Sequence, residues 1–254
     1  MDWCYAVACV VGSSHIRAGT RLQDAKSCFV SGSHNGDRRF FAVIADGAGS
    51  AEFGGQGASI ICRTVSREAR SAFRESAGLP GDDAIWSWLD IARDRIQLAA
   101  RRRQRTPRDF AATLVLTMAS HDEVIAAHVG DGAVVARNHG RAEWTVLSKP
   151  HHGEYASTTY FVTDDPQPAL RISRHPNHFD ALAAFSDGIE NLVLDNATGQ
   201  PSAGFFEPMA RPLVASTAVG KDAALSKSLS TFLASDRLNE RTDDDKTLVI
   251  AVQK

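Results

Sequence analysis

Three times in this chain an apolar, β-forming run ends on Asp-Gly. The endings are Asp46-Gly47 after Val43-Ile44-Ala45, Asp131-Gly132 after His128-Val129-Gly130, and Asp187-Gly188 after Ala184-Phe185-Ser186. A fourth acidic run, Asp243-Asp244-Asp245, immediately precedes another apolar stretch, and Asp24 stands just ahead of a weaker one at 26–31. Strand ends are rigid, so carboxylates placed there converge at one edge of a sheet. Gathered carboxylates repel each other and take up protons unless positive charge lies between them. Hard divalent cations such as Mg2+ or Mn2+ supply that charge and prefer oxygen ligands. A glycine beside the Asp lets the backbone bend sharply and brings its carbonyl close to an ion. A single Asp-Gly is more often a turn than a ligand. Gly130-Asp131-Gly132 alone serves as a hairpin turn, and the triple Asp as a solvated loop. The shared strand-end placement is what sets the motifs apart.

Around these motifs the pattern predicts strands at 3–11, 26–31 and 39–45, then a helix over 53–76 with Ile60, Ile61, Thr64, Val65 and Ala69 on one side. Gly78-Leu79-Pro80-Gly81 breaks the chain, and Asp82 or Asp83 caps a second helix running to about Arg105. Strands follow at 111–119, 123–129, 133–137 and 142–147, with connections short enough for antiparallel pairing. Further strands are expected at 157–163, 169–173 and 178–185, helices at 203–216 and 221–235, and a last strand at 246–253. No linker or repeat divides the chain, so one domain over 1–254 is expected. Strands and helix pairs segregate, which favours an α+β layered fold over repeating βαβ units.

Composition matters mainly for what it excludes. A formal net charge of −2 in 254 residues argues against a nucleic-acid binder driven by global charge. No apolar run approaches the roughly 20 residues needed to span a bilayer. Residues 3–12 are apolar but lack the basic lead of a secretory signal and are expected to form a buried strand. Cys4, Cys9, Cys28 and Cys62 form no C-x-x-C pair, which points to reduced thiols and a cytoplasmic setting. Arg101-Arg102-Arg103, with Arg105 and Arg108, reads as a helix end favoured by the helix dipole. His151-His152 with Glu154 fits no zinc spacing and reads as a polar loop.

Together the segments Gly19-Thr20-Arg21-Leu22-Gln23-Asp24-Ala25, Val43–Ser50, Ala111–Leu116, His128–Gly132, Phe185–Ile189 and Asp244–Val249 span nearly the whole chain. In that order they resemble the bacterial branch of the protein phosphatase 2C family, the metal-dependent PPM phosphatases. The resemblance implies a four-layer α-β-β-α sandwich of two antiparallel sheets flanked by helix pairs. It implies that Asp46 bridges two Mg2+ or Mn2+ ions, with the Gly47 carbonyl on one of them and Asp187 and Asp244 on the other. Asp131 would help Asp187 hold a third, weaker ion, and Asp24 would act through metal-bound waters. Spacing to Thr247 picks Asp244 from the triple Asp, with Asp243 and Asp245 as alternatives. The implied activity is hydrolysis of phosphoserine and phosphothreonine by a water activated between two cations. A Ser/Thr kinase or its targets are the expected partners.

Two positions depart from the family pattern. Many members carry His after the Asp-Gly, where it protonates the leaving alcohol; here that residue is Ala48. His15 is the candidate replacement, set against a purely structural role. The family's phosphate-binding Arg precedes the Asp24 position by four or five residues, where Gly19 and Thr20 stand; Arg21, three before, is the candidate, with an exposed, idle Arg21 as the other reading. These departures keep open a pseudophosphatase acting as a binding module. A hydrolase of small phosphate esters is a third possibility, since the fold alone does not select a substrate.

Overall fold

In the computed structural model, residues 2–32, 37–151, 159–195 and 197–254 are described. The chain begins with β1 (Trp3–Val10), α1 (Ser13–Ala18), β2 (Ala25–Gly32), β3 (Arg38–Ala45), α2 (Gly54–Glu75) and α3 (Asp82–Arg102). The strands β4 (Leu114–Ala119), β5 (Glu123–Val129), β6 (Ala133–Asn138), β7 (Trp144–Ser148), β8 (Arg171–Pro176) and β9 (Phe179–Phe185) follow. It closes with α4 (Glu190–Val193), α5 (Ala203–Ala215), β10 (Gly220–Lys221), α6 (Ala223–Leu233), α7 (Asp236–Asn239) and β11 (Lys246–Gln253).

The strands form two sheets, one in the order β10-β1-β11-β9-β6-β7 and the other β2-β3-β4-β5-β8. All pairings are antiparallel except the short β1–β10 contact. Three apolar layers hold the stack together. Trp3, Tyr5, Phe40, Ile44, Val115, Leu182 and Val249 lock the sheets face to face. Ile61, Val65, Phe73, Trp88, Leu89 and Ile96 seal α2 and α3 onto the second sheet. Phe206, Leu213, Leu229 and Leu233 seal α5 and α6 onto the first. The result is the α-β-β-α order expected from the sequence. Alternation along each strand feeds two of these layers at once, which is why β3 and β11 are buried along nearly their whole length.

Several boundaries differ from the sequence reading, each for a local reason. The N-cap of α3 is Gly81, extended at φ −70° and ψ 167°, and Asp82 and Asp83 instead lie in the first turn, where their charge complements the helix dipole. That helix stops at Arg102 because Gln104 takes a left-handed φ of 55°. Residues 111–113 precede β4 and hold only an isolated bridge between Ala112 and Gly47. In the strand expected at 157–163, residues 157 and 158 lie outside the described residues, as do His152 and Glu154; residues 159–163 form a bridge and a turn rather than a strand. The expected hairpin at Gly130-Asp131-Gly132 is not one: β5 and β6 belong to different sheets, so the chain crosses the sandwich there. The squeeze at the crossing is severe. A Cβ on Gly132 would lie 2.3 Å from Val115 Cγ2 and 2.7 Å from the Phe185 carbonyl oxygen.

Candidate metal centre

Register decides where the aspartates meet. Phe185, near the end of β9, pairs with Leu248 of β11 on one side and with Ala133 of β6 on the other. The residues just beyond these positions, Asp187, Asp244 and Asp131, therefore leave one edge of the first sheet together. In the second sheet Ala25 pairs with Ala45, so Asp24 and Asp46 leave one edge as well, and the crossing at Asp131 joins the two edges.

Asp46 lies at the centre of the group, its carboxylate close to those of both Asp24 and Asp187. Burial, then the charges of Asp24 and Asp187, push its carboxyl well above the usual carboxylate range, with Asp244 adding to the effect. Asp187 is raised to about 7, by burial first and then by Asp131 and Asp244. Asp24 is raised to about 6, mainly by burial. Among the described residues no three carboxylates stand as a ready-made ligand cage.

This arrangement fits a cationic guest. Asp24 Oδ1 and Asp187 Oδ1 are buried with no hydrogen-bond partner, a costly state for acceptor oxygens that a cation or its waters would relieve. The Gly47 carbonyl is also free for such a role. Thr113 N donates to the Asp46 oxygen (2.8 Å) and Ala48 N to the Ala111 oxygen (2.9 Å), so the Gly47–Ala112 bridge is the kind that leaves Gly47's own groups outside the ladder.

The raised values carry a stability consequence. Asp24 and Asp187 titrate near the ordinary value of 3.8 when unfolded but at about 6 and about 7 when folded. Between pH 4 and 7 the folded, metal-free chain thus binds more protons than the unfolded one, and stability falls as pH rises. In EDTA the denaturant midpoint is expected to drop from pH 5 to pH 7.5 by an amount worth a few kcal/mol. Asp187→Asn should flatten that slope, and an unchanged slope would contradict the assignment.

The surroundings hold the acids in place, and here sequence reading missed several residues. Thr247 Oγ1 (2.6 Å) and Ser186 Oγ (2.9 Å) both donate to Asp24 Oδ2. Thr113 Oγ1 accepts from Asp46 N at 3.0 Å, and Thr159 Oγ1 donates to Asp131 Oδ2. Asp245, named from the sequence only as an alternative ligand to Asp244, takes a different role. Its Oδ1 accepts from Gly12 N and its Oδ2 from Gln23 N, both at 2.6 Å, and His15 Nδ1 lies 2.9 Å from Oδ1. Asp245 is 2% exposed and fastens the Gly12–Gln23 segment, including α1, to the cluster. Ser186, Thr247 and Asp245 all sit inside the quoted motifs, so position was the available signal. Asp243 points outward, pairing with Arg17 at 2.9 Å while both are largely exposed. That leaves Asp244 as the member of the triple Asp whose charge acts on Asp46 and Asp187. Arg21 is exposed and makes no hydrogen bond or ion pair among the described residues. Ala48 is buried against Ala51, Ala111 and Phe161.

Tight backbone approaches complete the site. A Cβ on Gly188 would fall 1.8 Å from the Asp245 carbonyl oxygen. Gly188→Ala is therefore expected to cost about 3 kcal/mol or more in chemical denaturation, at the upper end for overpacking; an unchanged midpoint would show that the two loops are not in contact.

Comparison with known proteins identifies the family and the fold. Residues 11–234 match the family described as Protein phosphatase 2C. The chain is 33% identical over 255 residues to serine/threonine-protein phosphatase 3 of Escherichia coli K12, covering 99% of each chain. A bacterial serine phosphatase structure superposes with a TM-score of 0.64 at 17% identity, covering 98% of this chain and 97% of that one. The catalytic domain of the phosphatase PstP, solved in complex with two manganese ions, superposes at 0.62 with 16% identity, covering 99% and 98%. At these identities the two structures speak for the fold.

Proposed function

The chain belongs to the protein phosphatase 2C family of serine/threonine phosphatases, and from that premise we propose that it hydrolyses phosphoserine and phosphothreonine in proteins at a binuclear Mg2+ or Mn2+ centre built on Asp46. The observation that carries the proposal is the convergence of Asp24, Asp46, Asp131, Asp187 and Asp244 at one edge of the sandwich, with buried acceptor oxygens left unpaired.

In this reading Asp46, the Gly47 carbonyl, Asp187 and Asp244 would hold the two ions. Asp131 with Asp187 holds a third, weaker one. Bound divalent cations supply Lewis acidity, bringing the pKa of water toward neutrality and offsetting phosphoryl charge. The chain's own part is orientation. Asp24, fixed by Thr247 and Ser186, accepts hydrogen bonds from water at the centre. Asp245 steadies the segment bearing His15 and Arg21. Arg21, exposed and unpaired, is the cation that meets the substrate phosphate, and His15 is the candidate proton donor to the departing alcohol. We read residues 1–254 as one catalytic domain. Free Cys4, Cys9, Cys28 and Cys62 are in keeping with a cytoplasmic setting, and among the described residues no helix is long and apolar enough to cross a membrane. A Ser/Thr kinase or its targets are the proposed partners.

One feature favours a second reading, a binding module with little turnover: Ala48 offers no proton where many relatives carry His, and its side chain is packed away. Hydrolysis of an aryl phosphate and of a phosphothreonine peptide separates the two. The phosphatase reading expects Mn2+-dependent, EDTA-sensitive turnover of both, slower on the peptide because its alcohol leaves less readily. EDTA-resistant turnover, or none, would overturn it.

A further inference from the structure

Beside the carboxylate cluster, on the outer side of the Leu22–Asp24 segment, a cleft of about 640 Å³ opens between the free edge of the second sheet and α2. Its walls carry four cations: Lys26 from β2, and Arg63, Arg67 and Arg70 from α2. The three arginines are spaced four and three apart, which sets them along one helix face. Ser59 adds a hydroxyl, Ser27 and Ser66 are hydrogen-bonded to each other at 2.8 Å, and Cys9 and Cys62 also line it. Among the lining residues the single carboxylate is Asp24, which is 7% exposed and turned to Ser186, Thr247 and Asp46.

The cations are not consumed by the fold. Lys26 and Arg63 make no hydrogen bond or ion pair among the described residues. Arg70 stacks over the Phe29 ring with its guanidinium carbon 3.8 Å from the centroid, an arrangement that fixes the group in place and leaves its N–H edge available. Arg67 pairs only with its neighbour Glu68 on the surface. A chain with net charge −2 thus concentrates four cations in one cleft, with Lys26 and Arg63 unpaired among the described residues.

We propose that this cleft recognises acidic residues flanking the phosphorylated serine or threonine of a protein substrate, so that the enzyme favours acidic phosphosites. The inference rests on the phosphatase reading above and adds the substrate class to it. Geometry supplies the link: Asp24 both lines the cleft and reaches Asp46, so a peptide crossing the Leu22–Asp24 segment has its phosphoresidue at the centre and its neighbours among the arginines. Forked guanidinium groups suit carboxylates, and serine hydroxyls suit an extended peptide backbone. The cleft's limited volume of about 640 Å³ and its position beside the centre favour a peptide over a nucleic-acid strand.

The test compares wild type with Lys26→Glu/Arg63→Glu, both side chains lying outside the proposed metal and phosphate ligands. Three substrates are used: an aryl phosphate, a phosphothreonine peptide with Asp and Glu on both sides, and the same peptide with Asn and Gln there. Wild type is expected to favour the acidic peptide by roughly tenfold in kcat/KM, with the preference fading as salt rises from about 0.05 to about 0.5 M. The double variant should lose or invert the preference while hydrolysing aryl phosphate within about twofold of wild type. No preference in wild type, or an unchanged one in the variant, would overturn the inference. Aryl phosphate turnover reports the phosphatase reading separately. Should turnover be absent, fluorescence anisotropy of the labelled acidic peptide reads the cleft directly. Binding that is lost in the double variant supports the inference; binding that is unaffected, or weaker than that of a single-stranded oligonucleotide, overturns it.

Discussion

Asp46→Asn is expected to lower kcat/KM for an aryl phosphate by about 10³-fold or more, while the protein remains folded. A bound cation contributes several kcal/mol to phosphoryl transfer, and each 1.4 kcal/mol or so is a factor of ten in rate. Removing the carboxylate proposed to hold both ions should forfeit much of that. The same substitution removes an acid of the cluster that burial, and then Asp24, Asp187 and Asp244, push well above the usual carboxylate range. In EDTA the variant should therefore be at least as stable as wild type near pH 7.5, whereas with Mn2+ the order reverses, because wild type alone gains the full binding energy. Loss of activity with loss of fold in EDTA would point to Asp46 as a packing residue. Full activity in the variant would remove it from the centre.

The adjacent residues 243, 244 and 245 are expected to give three different results when each is changed to Asn. Asp243 is exposed and paired with exposed Arg17, a kind of contact that contributes little, so its variant should match wild type in activity within about twofold. Asp244, whose charge raises both Asp46 and Asp187, should lose roughly 10²- to 10³-fold in kcat/KM with an unchanged fold, as expected when an electrostatic stabiliser is deleted. Asp245 accepts two backbone N–H groups, one buried and one partly buried, and an Asn there turns an NH2 toward one of them. That variant should lose about 2 kcal/mol of stability, and activity with it, as the segment carrying Arg21 loosens. Activity and denaturant midpoints of the three proteins check the assignment. Equal effects at 243 and 244 would contradict it.

That threefold distinction also shows where the sequence is informative and where it stops. Continuous apolar runs such as Phe40–Ala45 and Leu248–Val252 announce their strands because both faces are buried. The stripes of α2 and α3 repeat at helical spacing because each helix packs on one sheet. Asp-Gly at strand ends marked the acids of the site for the same reason, since strand ends are where a sheet edge can gather them. What pattern alone misjudged depends on long-range pairing. A short Gly-Asp-Gly link is compatible with a hairpin, yet β5 and β6 join different sheets, a choice made by register with β9 and β8. The six-residue α1 buries none of its side chains and so leaves no periodic trace. Asp245 looked interchangeable with Asp244, because the backbone groups that separate their roles belong to Gly12 and Gln23, more than 220 positions away.

The central claim is that acids from residues 24 to 244 are brought to one sheet edge in order to share cations. Anomalous diffraction from crystals grown with Mn2+ measures this most directly. The account predicts two strong peaks bracketed by the side chains of Asp46, Asp187 and Asp244, with the Gly47 carbonyl facing one of them. Peaks elsewhere on the molecule, or none at this edge with millimolar Mn2+ present, would contradict it.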